Sequence, residues 1–119
     1  VPNRKEAKRM PKRSNDFQKL MHLLHRHFSS NAAVTESKMI RDRLTGREVE
    51  VDIVIETTVS DYPISVAIEC ISESRPATVE WIHEMKGKHD SLPLDKLVLV
   101  SQSGFTKRGL RKFGQCGKW

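Results

Sequence analysis

The sequence predicts an α/β fold, with a mixed central sheet flanked by helices in the order helix, three strands, helix, strand, helix. Three observations predict it. Residues 48–71, EVEVDIVIETTVSDYPISVAIECI, hold two apolar ladders of period two separated by a polar turn. Apolar residues at helical spacing lie before and after them: Phe17, Leu20, Met21, Leu24 and Phe28, then Val79, Trp81, Ile82 and Met85. A last short apolar run, LDKLVLV over residues 94–100, follows the second helix. That helix then acts as a crossover, and the last strand joins the sheet in parallel with one of the others.

A chain of 119 residues suits one small domain with one core. Its 37% hydrophobic and 30% charged content reads as globular and soluble. No apolar run approaches the ~20 residues of a membrane helix, and no signal-peptide pattern opens the chain. No membrane partner is therefore expected. Cys70 and Cys116 show neither metal-type spacing nor a disulfide framework, which suggests a reducing, cytoplasmic setting.

The net charge of +6 is unevenly placed. Residues 1–13 hold six Lys/Arg and one acid, and residues 107–119 hold five Lys/Arg and no acid. The body between them is mildly acidic. Basic ends attract a polyanion through counterion release, although a solubilising tail has the same composition.

Taken in order, residues 1–13 read as a flexible basic arm with two prolines and almost no apolar content. A domain over residues 14–113 follows, and residues 114–119 read as a frayed tail. Ser14 and Asn15 are good N-caps for an amphipathic helix over residues 16–28. His22 and His25 on that helix are spaced to share a metal, but no third ligand is evident. Residues 32–42 read as a first strand and Gly46 marks the next turn. The strand bearing Asp52 follows, then a turn over residues 60–63, then the strand bearing Glu69. Pro76 suits the first turn of a helix over residues 77–90, with Trp81 as a core anchor. Thr106 caps a last basic helix ending near Phe113. There is no internal repeat, Gly-rich phosphate loop or Ser-His-Asp signature.

The chemistry-bearing feature is one acid in the middle of each ladder. Strict alternation puts Val49, Val51, Ile53 and Ile55 on one face of the first strand, with Glu50, Asp52, Val54 and Glu56 on the other. In the second strand, Ser65, Ala67, Glu69 and Ile71 share a face. Pairing the strands as a hairpin can bring Asp52 and Glu69 together. Two carboxylates so placed are costly unless a cation or a proton lies between them, and a hard divalent cation answers that cost with oxygen ligands. Acids on the solvent face of an amphipathic hairpin are the ordinary alternative.

Three passages carry a resemblance to a known family. They are REVEVD (47–52), VAIEC (66–70) and VSQSGFT (100–106), together with Glu80-Trp81 and Gly87-Lys88. In order and spacing, over about residues 14–113, the chain resembles the restriction-endonuclease-like PD-(D/E)XK superfamily, most closely the Mrr-like type IV restriction enzymes. The resemblance implies an αβββαβ core and a metal-dependent DNA endonuclease that hydrolyses phosphodiester bonds. It implies Mg²⁺ or Mn²⁺ as cofactor, held by Asp52, Glu69 and the main-chain carbonyl of Cys70. The metal would lower the pKa of a bound water and stabilise transition-state charge.

The chain departs from the family at two positions. The family's lysine, two residues after the Glu, is replaced by Ile71, which neither orients water nor compensates charge. Its first-helix Glu is matched by Gln18, a catalytic-position candidate that binds through a neutral carbonyl. Either the lysine role has migrated, with Lys86, Lys88 or Lys38 as candidates, or the chain is a degenerate module that binds nucleic acid or mediates assembly without cutting. On the nuclease reading the partner is DNA, and Arg75, Lys86, Lys88 and Lys107 hold its phosphate backbone. A homodimer, or a place in a larger multidomain assembly, would supply what one small domain lacks. No recognition helix or base-reading cluster stands out.

Overall fold

Helix α1 (Asn15–Phe28) lies across a four-stranded sheet of order β1-β2-β3-β4 in the computed structural model, which describes residues 15–28 and 30–114. The strands are β1 (Ala32–Arg41), β2 (Glu48–Val59), β3 (Tyr62–Ile71) and β4 (Lys96–Ser101). Helix α2 (Val79–His89) joins β3 to β4, and α3 (Lys107–Gly114) follows β4. The basic arm of residues 1–13, the Ser14 cap and residues 115–119 of the expected tail lie outside the described residues. Gly114 itself belongs to α3.

The first three strands form the expected antiparallel meander, and β4 pairs in parallel with β3. The mixed sheet follows from loop lengths. Short turns join β1, β2 and β3, whereas the return to β4 needs a helical crossover. Ser60 and Asp61 make the β2–β3 turn by themselves, with φ of +50° and +69° and Val59 opposite Tyr62. Two positive φ values in a two-residue turn match the twist of the flanking strands. The turn is therefore tighter than the 60–63 span expected from sequence. Pro63 lies in the ladder at a level that β4 does not reach, since β4 pairs from Val66 onward.

The core has two layers. Phe17 and Met21 of α1 are buried on Ile53, Ile55 and Ile68, with Leu20, Leu24 and Phe28 completing the helix face. Burying each such side chain contributes roughly 2 kcal/mol. On the other face, Val51, Val54, Ala67 and Leu92 form one cluster, and Ile82, Met85 and Leu99 another. Trp81 is half-buried against this second cluster, its ring 6.5 Å from that of Phe105.

Two expectations are corrected here. Val51 packs with Val54 rather than with Ile53 and Ile55, so β2 does not alternate strictly through Asp52. The β1–β2 ladder lacks a Ser37–Asp52 pair, and Ser37 has a φ of +54°. That left-handed residue breaks the pleat at the level of the acid. Helix α2 starts later than expected. Its N-cap is Thr78, whose side chain accepts from the Trp81 N–H at 3.3 Å, so Pro76 and Ala77 precede the helix. Ala77 is buried and bridges to Phe105 instead.

Candidate active site

The sheet places Asp52 and Glu69 side by side at the point where their strands part. The β2–β3 ladder ends with Ile53 opposite Ile68. One position further on, side chains replace main-chain pairing. Cys70 N–H donates to Asp52 Oδ2 at 2.9 Å, and Asp52 N–H donates to Glu69 Oε1 at 3.3 Å. Each carboxylate therefore accepts from the opposite strand. Both acids are buried, at 3% and 1% exposure. That excludes the ordinary alternative of acids on a solvent face.

Burial of an acid needs a compensating partner. For Glu69 it comes from the C-terminal end of α2. Lys88 Nζ lies 2.6 Å from Glu69 Oε2, and His89 Nε2 lies 2.7 Å from the same oxygen. Facing an ionised carboxylate, that imidazole nitrogen carries the proton and donates. The Lys88 ammonium also donates to the Glu50 carbonyl at 2.6 Å. Burial by itself pushes the Glu69 carboxyl up, but the His89 hydrogen bond and the Lys88 charge outweigh it. The group is held below the ordinary carboxylate value.

A loop anchor fixes where this helix end lies. Asp42 Oδ1 accepts from Leu44 N–H and Ser91 Oγ, both at 2.8 Å, and from Thr45 N–H at 3.1 Å. Arg43 N–H donates to the Ser91 carbonyl at 3.0 Å. The β1–β2 turn thus grips the chain just beyond His89. The Ser91 hydrogen bond, then those from Thr45 and Leu44, hold the Asp42 carboxyl below its usual value.

Of the candidate lysines, Lys88 reaches Glu69. Lys38 pairs with Glu56, 2.5 Å away, and Lys86 is half-buried on α2. Ile71 is half-buried and lies in register beside Ser101. Gln18 is exposed on α1, the helix covering the opposite face of the sheet, and no hydrogen bond or ion pair joins it to the acids among the described residues. Arg75 is exposed in the β3–α2 loop, and Lys107 is exposed at the start of α3. His22 and His25 are exposed as well. His89 carries no signal in the sequence, because the turn of α2 that meets Glu69 depends on the crossover geometry.

Glu69 Oε2 and the Glu50 carbonyl together hold the Lys88 ammonium, and Glu69 Oε1 faces the Asp52 N–H. Among the described residues no group of three or more His, Cys, Asp or Glu is arranged to hold a metal. Helix length gives one further boundary: among the described residues no helix is long and apolar enough to cross a membrane.

Fold and site together define an α/β protein with a buried pair of sheet carboxylates, one of which, Glu69, is met by a lysine and a histidine from the crossover helix. No family model and no curated protein matches the sequence. A similar fold occurs in the crystal structure of a protein of unknown function, AF1548, with a TM-score of 0.67 and 13% identity over 83% of this chain. The chain spans about half of that protein, 52% of its length, and at this identity the likeness carries the fold alone.

Proposed function

We propose that the chain is a cytoplasmic, restriction-endonuclease-like, metal-dependent DNA endonuclease in which Lys88 fills the role left vacant at Ile71. The observation that carries this reading is the 2.6 Å approach of Lys88 to Glu69, beside a second buried acid. A paired-acid site with a lysine is a set suited to phosphodiester hydrolysis. The antiparallel hairpin with parallel β4 beside it supports the fold resemblance.

Asp52, Glu69 and the Cys70 carbonyl would hold Mg²⁺ or Mn²⁺, which supplies Lewis-acid stabilisation and an activated water. Lys88 would orient the attacking water and offset charge on the phosphate. His89 fixes the Glu69 carboxylate from the side. Arg75, Lys86 and Lys107 are assigned to the DNA backbone.

A second reading is a module that binds nucleic acid without cutting. Ile71 favours it, and so does the pairing of Glu69 with Lys88 and His89. Nicking of supercoiled plasmid in Mg²⁺ and then Mn²⁺ separates the two readings. Wild type is expected to nick, and Asp52→Ala and Glu69→Ala are not. Glu69→Ala should bind DNA as well as wild type or more tightly, because it removes negative charge facing phosphate. Salt-dependent binding with no nicking in either metal would select the second reading.

A further inference from the structure

We propose that the Lys88 ammonium occupies the position a divalent cation takes at Glu69, so that metal enters by exchange with a cation of the protein's own chain. This rests on the metal-holding part of the reading above and adds how the site is gated. The ammonium sits between two oxygens, Glu69 Oε2 and the Glu50 carbonyl, each 2.6 Å away. Carboxylate and carbonyl oxygens are also the ligands of hard cations. Glu69 Oε2 is shared with His89, its Oε1 is turned onto the Asp52 N–H, and its side chain is only 2% exposed. A metal therefore reaches Oε2 only when Lys88 yields it.

Lys88 is the member of the cluster able to move. Its side chain is 21% exposed, against 6% for His89, and it hangs on a flexible four-carbon stem. His89 keeps the carboxylate oriented as the ammonium leaves.

The test is Mn²⁺ binding to the full chain, read from the electron paramagnetic resonance signal of free Mn²⁺ at neutral pH. Wild type should bind weakly, and Lys88→Met at least about tenfold more tightly, because a like charge has left the site. Adding Glu69→Gln should abolish that gain. Equal or weaker binding by Lys88→Met overturns the proposal. A readout on wild type covers the case in which Lys88→Met fails to fold. Acetic anhydride labelling followed by mass spectrometry should modify Lys88 slowly without metal and several-fold faster with saturating Mn²⁺, the exposed lysines serving as references. An unchanged Lys88 rate overturns it equally. Tighter binding by Lys88→Met with no plasmid nicking by wild type keeps the exchange and removes the nuclease reading. Nicking without any gain in binding does the reverse.

Discussion

Lys88 and Glu69 meet at 2.6 Å from different elements, the ammonium arriving at a buried β3 carboxylate from the end of α2. The same face of β3 carries Ile71 two residues on. A cation at position 71 would come from the strand itself, whereas the one present comes from the crossover helix.

The two routes are expected to be interchangeable. Lys88→Ala should lower the free energy of unfolding by about 3 kcal/mol, the cost of leaving a buried carboxylate without its cation. It should also cut nicking by about 10²-fold. Ile71→Lys in that background should restore much of the nicking, because a half-buried position lets a lysine extend its stem and place its ammonium beside Glu69. Urea denaturation and plasmid nicking on the single and double variants measure both. No recovery in a folded double variant would show that the geometry at α2, rather than the charge, is required.

Stability should fall at acid pH in a way that belongs partly to Glu69. Its folded carboxyl is held below the ordinary value by His89 and Lys88 against the opposing effect of burial. A depressed folded pKa contributes stability that is complete above the unfolded value, about 4.3. That contribution is lost as pH falls through the folded value. Asp42 contributes in the same direction. Urea midpoints from pH 7 down to 3 should therefore stay level and then drop. Glu69→Gln should show a shallower drop, the remainder belonging to groups such as Asp42. Identical slopes would mean that Glu69 titrates alike in folded and unfolded chains.

The β2–β3 turn can be improved without touching the site. Ser60 and Asp61 both hold positive φ, which costs residues with a Cβ. Asp61→Gly should raise stability by about 0.5–1 kcal/mol. Thermal melts would register this as a higher midpoint, and nicking should not change. A lower midpoint would mean that the Asp61 side chain does more for the turn than its backbone strain costs.

The sequence by itself determined the elements and their order. Alternation at Ile53, Ile55, Val66 and Ile68, and helical spacing at Phe17 and Met21, are local consequences of backbone geometry that any burying environment selects. The same local rule singled out Asp52 and Glu69 as acids interrupting apolar ladders. Local rules also gave wrong details. Alternation placed Val51 with Ile53, and only the left-handed Ser37, where the ladder skips a pair beside Asp52, shows why the pleat breaks there. The tight β2–β3 turn was hidden because neither Ser60 nor Asp61 is the glycine or asparagine that usually announces one. Tertiary structure alone decided which cation meets the acids. Lys38, Lys86 and Lys88 are alike as residue types, and His89 is silent in the sequence. What brings Lys88 and His89 to Glu69 is the rotation and end point of α2, set by the packing of Ile82 and Met85 and by the Asp42 anchor on Ser91. Burial of Glu69 makes that choice consequential, because a carboxylate taken out of water accepts only the partner that the fold delivers.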